Sequence, residues 1–186
     1  MTLTEILPTM RRSLPDPLDS FAWPEHTIPT ISDVIVAGVS LVRLAEVSGS
    51  PALLSGDLPH PQARTVRTRG VGNDVTVLVF RIALRVDTQQ NKRIALTDCS
   101  LDTVEARWDQ CRLIGRTSVA RSADIELISA EAAAPHWPYP VVTLPEDVHE
   151  GDLLAVPCSG AVALREVRPR RNDVASPAIN EGSAFA

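Results

Sequence analysis

The fold of this chain is decided by residues 144–161, which read LPEDVHEGDLLAVPCSGA. A proline-containing loop leads into a turn at Gly151-Asp152, where glycine supplies a backbone freedom that other residues lack. Residues 153–156 then form a short apolar run between turn signals, which is typical of a core strand. Small residues at 159–161 indicate a second turn. The stretch therefore predicts a buried strand held between two tight turns.

The longest β pattern in the chain is Asp74–Asp87, with the sequence DVTVLVFRIALRVD. Side chains alternate between the two faces of a strand, so this segment has one almost wholly apolar face. That face is predicted to point into a core and comprises Thr76, Leu78, Phe80, Ile82, Leu84 and Val86. The opposite face changes from apolar to charged at Arg81, so we expect the strand to leave the cover of the fold there.

Strand patterns recur along the rest of the chain, whereas helical spacing is rare. One short helix is predicted at 41–47, with Ser40 as its cap and Gly49 after its end. A helix is also possible at 4–12, capped by Thr2 or Thr4. Further strands are predicted at 33–39, 51–54, 64–68, 93–97, 106–121 with a bend at Gly115, 124–129, 141–144 and 161–167.

This pattern predicts an all-β fold, a small β-barrel or sandwich of about eight strands with one short helix. Residues 1–30 are proline-rich and form an N-terminal arm, which we expect Phe21 and Trp23 to anchor. Residues 31–170 form a single barrel domain. Residues 171–186, rich in Asn, Ser, Pro and Ala, are predicted to be a disordered tail.

Composition narrows the classes of function. The 186 residues carry a net charge of −5 without a basic run, which argues against a nucleic-acid partner. No apolar run approaches the roughly 20 residues of a membrane span. The three cysteines lack metal-ligand spacing and are expected to be buried thiols in a reducing compartment. A soluble cytoplasmic protein is predicted.

Three segments resemble the diaminopimelate decarboxylase family, pyridoxal-phosphate enzymes of lysine biosynthesis. Residues 144–161 resemble the family's P-x-D-V-x-x-G-D-L-L-A-V-P-x-x-G-A stretch, which lies in its C-terminal β-domain. DPLDSFAWPEHT, at 16–27, resembles the opening of actinobacterial members. AGVSLVRLAEVSGSPALL, at 37–54, is similar to the segment that leads into the family's (β/α)8 barrel. The resemblance covers residues 1–56 well and about 75–164 more loosely.

The resemblance also implies a deletion. A (β/α)8 barrel of roughly 200 residues would be expected to follow the third segment. Instead a short Gly-, Asp- and Pro-containing loop follows at 55–62, without the alternating strands and helices of a barrel. The chain therefore resembles the family with its barrel removed and its β-domain rejoined.

Positions that would carry the family's decarboxylation have changed. The only lysine, Lys92, lies in a predicted hairpin loop rather than on a barrel. The family's Cys-Glu pair falls on Ala132 and Ala133, and its tyrosine after the last Gly-Ala is Val162. These departures from the family's pattern imply that this protein is not a stand-alone pyridoxal-phosphate decarboxylase. We expect no cofactor and no metal site.

Residues 135–140, PHWPYP, place aromatic and imidazole groups where the family has a catalytic loop. Tyr139 and His136 are candidate catalytic groups there, and Trp137 is a candidate substrate-binding residue, since such side chains suit a small-molecule pocket. The alternative is that Trp137 and Tyr139 plug the surface left by the missing barrel. Asp98 is a third candidate acid or base, although its acidic neighbourhood also fits a solvated edge. Trp108 and Phe80 are further candidate substrate-binding residues.

Two functions remain open. The first is a cofactor-independent enzyme, a cyclase or isomerase of specialised metabolism that holds a small-molecule substrate in the barrel interior. The second is a non-catalytic ligand-binding protein, or a partner subunit of a full-length decarboxylase. The resemblance also implies a homodimer, because the family dimerises partly through this domain. An open interior would favour the enzyme, and an interior packed by Phe80, Leu84 and Ile94 would argue against it.

Overall fold

The computed structural model describes residues 2–59, 74–90, 92–102, 104–129 and 138–169. The strand predicted at 64–68 and the tail at 171–186 lie outside the described residues. Three short α-helices occur in the described part, α1 (Leu3–Ile6), α2 (Leu41–Ser48) and α3 (Leu164–Val167). The strands there are β1 (Thr27–Pro29), β2 (Val34–Val36), β3 (Val39–Ser40), β4 (Ala52–Asp57), β5 (Asp74–Asp87), β6 (Arg93–Thr97), β7 (Arg112–Ile114), β8 (Ser122–Ser129), β9 (Val141–Pro145) and β10 (Leu153–Ser159).

Seven strands form one strongly curled sheet. Its order is β7-β10-β5-β6-β8-β9, and β4 is an additional neighbour of β5. The two ends of this path, β7 and β9, contact each other, so the sheet is nearly closed into a barrel. A separate three-stranded sheet has the order β1-β2-β3. The predicted all-β, barrel-like fold is confirmed, and no (β/α)8 barrel occurs among the described residues.

The predicted buried strand becomes β10, which lies inside the sheet between β5 and β7. Six of its seven residues are buried. Gly151, in the turn before it, has a φ of +91°, a conformation that other residues rarely adopt. Its N–H donates to the carbonyl of Ile82 at 2.8 Å, which ties the turn to β5. The buried strand predicted at 153–156 is therefore confirmed.

The prediction that one face of β5 points into the core along its whole length is wrong. The alternation of its side chains between the two faces reverses at Ala83. Its partner β6 pairs Thr97 with Ile82 and Leu96 with Leu84, so Ala83 is an extra residue, a β-bulge. One extra residue inverts the alternation beyond it. Leu84 is therefore 45% exposed, although it was expected in the core. Arg85 instead turns towards the protein and donates to a carbonyl of Val148 at 2.6 Å.

Two hydrophobic cores lie on opposite faces of the first half of β5. Leu78 and Phe80 point into the barrel core, while Val77 and Val79 point to an outer core. The outer core is covered by the N-terminal part of the chain, with Trp23 only 1% exposed. Trp23 thus anchors the arm as predicted, whereas Phe21 is 66% exposed and does not.

The predicted strand at 33–39 is interrupted by a tight turn. Ala37 and Gly38 have φ values of +48° and +84°, as in the two-residue turns that join antiparallel strands. The chain therefore reverses from β2 into β3. Ser40 then caps α2 by accepting a hydrogen bond from the N–H of Arg43 at 3.0 Å, and Gly49 follows its end, as predicted.

The strands predicted at 106–121 and 161–167 are wrong, and three short α-helices occur where one was predicted. Residues 106–121 contain a 3-10 turn at Trp108–Gln110 and only the short β7, which ends at the bend of Gly115. Residues 161–167 contain α3 rather than a strand, because Glu166 accepts a hydrogen bond from the N–H of Ala163 at 2.9 Å and caps that turn. Local side-chain bonds to the backbone favour turns over strand pairing at such sites.

No helix within the described ranges is long and apolar enough to cross a lipid bilayer.

Replacement of Leu154 by alanine tests the packing of the barrel core. Leu154 lies on β10 with no exposed surface, so Leu154→Ala should lower the free energy of unfolding by about 2–5 kcal/mol through lost burial and a cavity. Urea unfolding followed by tryptophan fluorescence measures this change. Leu84→Ala makes the same replacement on the exposed side of β5 and should cost no more than about 1 kcal/mol. Equal losses in both variants would contradict this assignment of the core.

Candidate functional site

The predicted site residues lie in different environments. His136 and Trp137 lie outside the described residues. Phe80 has no exposed surface and belongs to the barrel core, and Trp108 is half-buried and packs against the same core. These two aromatic residues therefore share one hydrophobic cluster rather than the wall of an open pocket.

Asp98 and Tyr139 are brought to the same end of the sheet by the strand register. Asp98 follows β6, whose last residue, Thr97, pairs with Ser129 at the end of β8. Pro140 accepts a hydrogen bond from the N–H of Leu127, which places Tyr139 beside the same end of β8. Two strand spacings, about 10 Å, therefore separate the chain at Asp98 from the chain at Tyr139.

Asp98 has a structural task in this position. Its Oδ1 accepts a hydrogen bond from the N–H of Arg81 at 2.8 Å, and its own N–H donates to the carbonyl of Arg81 at 3.0 Å. These two bonds hold the chain after β6 against β5 next to the bulge. Asp98 is half-buried, so part of the residue remains exposed at this end of the sheet.

The barrel interior is filled by apolar side chains. Phe80, Ile125, Leu127 and Leu154 all have no exposed surface and belong to one cluster of packed side chains. Close packing of this kind excludes a ligand from the volume that the side chains occupy. Of the residues expected to fill the interior, Phe80 does so, Ile94 is half-buried, and Leu84 points outwards.

A cleft lies outside the barrel, between the N-terminal arm and the sheet. We call it the arm cleft; its volume is about 340 Å³. The arm, the loop before β2, the segment from the 3-10 turn through β7, and β9 all contribute walls. The residues that line it include Arg11, Asp16, Asp33, Asp109, Arg112, Arg116 and Thr143.

Two arginines of the arm cleft fasten the arm to the sheet. Arg11, on the arm, donates from Nη1 to the carbonyl of Ala120 at 2.9 Å and from Nη2 to Ser122 Oγ at 2.8 Å. Arg112, on β7, donates in the opposite direction, to the carbonyl of Asp16 at 2.9 Å and to that of Pro17. The arm is thus held by charged hydrogen bonds from both sides, which are stronger than neutral ones.

A third arginine is neutralised by carboxylates. Arg116 binds Asp152 with two hydrogen bonds, at 2.7 and 2.6 Å, and Asp152 is almost fully buried. These bonds raise the pKa of the Arg116 guanidinium. Burial disfavours ionisation of the neighbouring Asp147, yet a 2.6 Å hydrogen bond from Ser118 and the charge of Arg116 hold the pKa of Asp147 below its usual range.

The three cysteines are shielded from solvent. Cys99, Cys111 and Cys158 are free and buried. Burial raises the pKa of Cys111 and of Cys158 to about 12, and it raises the pKa of Cys99 further, so the thiolate forms are suppressed. No cluster of three potential metal ligands occurs in the described part of the chain. Lys92 forms an ion pair with Glu126 at 2.6 Å.

Sequence reasoning missed the arm cleft. Arg112 was visible as one signal, because it stands between Cys111 and Leu113 in an otherwise apolar run, where a charge must find partners. Its partners lie about a hundred residues earlier in the chain, and Arg11 bonds to residues equally distant in the other direction. Nothing in the local pattern identifies such long-range pairs.

Acid unfolding tests the Arg116 network. Because the folded pKa of Asp147 lies below its ordinary value of 3.8, this carboxylate stabilises the fold above that pH. Its contribution is lost as the pH falls through the lower, folded pKa. Urea midpoints measured between about pH 6 and pH 2 should therefore fall less steeply in Asp147→Asn than in the wild type.

The matched control for this titration is Asp102→Asn, which removes an exposed carboxylate elsewhere. Its urea midpoints should follow the wild-type dependence on pH. If the urea midpoints of Asp147→Asn fell as steeply with pH as those of the wild type, the Arg116 network would not lower the pKa of Asp147.

Comparison with protein-family models gives no match for this chain, and no curated protein matches its sequence. The function is therefore inferred from the geometry of the described residues.

Proposed function

We propose that this protein binds a small molecule in the arm cleft. The observation that carries the proposal is a cavity of about 340 Å³ whose walls come from the arm and the sheet and include the buried Arg11 and the half-buried Arg112. Ligand sites are concave and of comparable or larger volume, with a few polar groups that fix orientation. The filled barrel interior favours this external cleft over the interior as the binding site.

We further propose that the chain derives from the β-domain of a diaminopimelate decarboxylase that lost its (β/α)8 barrel. Two features support this origin. Strand β4, which precedes the place where the barrel would be inserted, pairs directly with β5, which follows it. The strand with the family-like wording, β10, lies on the other side of β5. An insertion can be lost as a unit when the flanking strands are neighbours.

An enzyme without a cofactor is the second candidate, a cyclase or isomerase as the sequence suggests. The observation that favours it is the placement of Asp98 and Tyr139 at one end of the sheet, on the two sides of β8, where two strand spacings separate their backbones by about 10 Å. In this proposal a substrate lies across the end of β8, outside the filled interior, with Asp98 as the acid or base and Tyr139 as a hydrogen-bond donor.

We propose a homodimer as the assembly and the cytoplasm as the location. The exposed Ile28 on β1, an edge strand, supports association, because unpaired edges with apolar side chains favour pairing with another chain. Three free thiols support a reducing compartment. Light scattering coupled to size exclusion measures the mass, and a mass of one chain would contradict the dimer.

Filling the arm cleft tests ligand binding. A thermal-shift screen of neutral, cationic and anionic metabolites should yield compounds that raise the melting temperature, since a ligand that binds the folded state stabilises it. Thr143→Trp places an indole in the cleft and should abolish that shift. Val141→Trp, two residues away on the same exposed face of β9, should retain it. Shifts that persist in Thr143→Trp would place the site elsewhere.

Turnover tests the second candidate. Any compound that binds is incubated with the protein, and its conversion is followed by mass spectrometry. Tyr139→Phe removes only the hydroxyl group, so it should lower the rate at least tenfold while binding is retained. Unchanged conversion in Tyr139→Phe, or binding without conversion in the wild type, would exclude this enzyme.

A further inference from the structure

We propose that the arm cleft recognises an anionic group of its ligand, a carboxylate or a phosphate, which binds between the guanidinium groups of Arg11 and Arg112. This inference rests on the proposed binding of a small molecule in the same cleft. It adds the chemical class of the ligand and the two groups that select it.

Arg11 has an unused donor at the cleft. The residue is only 7% exposed, and its two Nη atoms are engaged with Ala120 and Ser122. Its Nε is shielded from solvent and has no hydrogen-bond partner among the described residues. Asp16 Oδ2 lies 3.6 Å from that Nε, within the range of an ion pair but too far for a hydrogen bond.

Arg112 repeats this arrangement from the opposite wall. Both of its Nη atoms are bound to backbone carbonyls of the arm, at Asp16 and Pro17, and its buried Nε also lacks a hydrogen-bond partner. No carboxylate lies within ion-pair distance of Arg112 in the described ranges. Burial accordingly lowers the pKa of this guanidinium, with the charge of Asp16 opposing the shift.

Unpaired N–H groups on buried cations are costly, because each has lost water without gaining another partner. An oxygen atom of a bound anion would supply that partner. Guanidinium groups match carboxylates and phosphates through two parallel hydrogen bonds, and Nε with one Nη is a suitable pair of donors. The Nη contacts already hold both side chains in place, so binding an anion would cost little additional ordering.

The other carboxylates of the cleft have donors of their own and form no hydrogen bond with the two Nε groups. Among the acidic lining residues, Asp33 accepts hydrogen bonds from the N–H groups of Val34 and Val42. Asp109 is bound by Arg107, whose hydrogen bond lowers the pKa of Asp109. Arg116 is balanced by Asp152 and Asp147. Asp16 is the carboxylate within ion-pair distance of Arg11, at 3.6 Å. The lining as a whole carries Glu5, Asp16, Asp33 and Asp109 against Arg11, Arg112 and Arg116, so the two unpaired Nε donors, and not an excess of positive charge, would select the anion.

Anion binding would also tighten the arm. Arg11 belongs to the arm and bonds to the sheet, whereas Arg112 belongs to the sheet and bonds to the arm. A ligand group held by both guanidinium groups would therefore bridge the same two parts of the fold. Its binding should raise the melting temperature of the whole domain, as it does for any ligand that binds only the folded state.

Titration with simple anions tests the proposal. Inorganic phosphate and malonate are the two probes, each measured by calorimetry and thermal shift against sodium chloride of equal ionic strength. Binding of phosphate alone would indicate a phosphorylated ligand, and binding of malonate alone a carboxylic acid. Arg112→Gln should weaken binding of the active probe at least tenfold, because a charge-assisted hydrogen bond is lost. Arg43→Gln removes the same charge from the exposed face of α2 and should leave affinity unchanged.

A second variant keeps the proposal testable if Arg112→Gln does not fold. Asp16→Asn removes the carboxylate that competes for Arg11, while the backbone carbonyl that binds Arg112 remains. Affinity for the active probe should rise in Asp16→Asn by a few-fold or more. Arginines that only fasten the arm would give no such gain, and unchanged or weaker binding in this variant would overturn the proposal.

The outcomes also separate this inference from the proposed function. Wild-type protein that binds neither anion, yet binds a neutral or cationic compound in a manner lost in Thr143→Trp, would refute the anion site and leave the arm cleft as a ligand site. Anion binding that survives in Thr143→Trp would refute the arm cleft itself. Absence of any ligand in both experiments would refute both.

Discussion

The structure depends on the pairing of β5. This single strand pairs with β10 along one edge and with β4 and then β6 along the other. Its first half separates the barrel core from the outer core, so side chains on both of its faces are buried. Each buried apolar side chain contributes about 1.5–3 kcal/mol to the free energy of folding. The pairing of β5 with strands on both edges lets it bury side chains in both cores.

The bulge at Ala83 is the second constraint, because it decides where the barrel core ends. Before it, β5 contributes Phe80 and Ile82 to the interior; after it, the same strand turns Arg85 towards the protein and Leu84 to solvent. Asp98 binds the backbone of Arg81 next to this point. The position of Asp98, the candidate catalytic aspartate, therefore depends on the same part of β5 as the bulge.

The arm cleft follows from how the arm is fastened. Hydrophobic anchoring by Trp23 places the second part of the arm on the outer core, while Arg11 and Arg112 hold its first part at the sheet end. Charged groups buried in this way are destabilising unless their donors are satisfied, and here one donor on each arginine is not. The side chains that hold the arm on the sheet also line the cleft. The candidate site therefore lies where the arm meets the sheet.

The sequence by itself determined the strands with strong local patterns. β5, β6, the core of β10 and the capped helix α2 could be predicted because alternation, apolar runs and capping residues act over a few neighbours. The all-β class followed from their number. Only the tertiary structure decided the face reversal at Ala83, the turn at Trp108–Gln110 and the arm cleft. These depend on a partner strand or on residues about a hundred positions away, and contacts at that separation leave no periodic trace in one sequence.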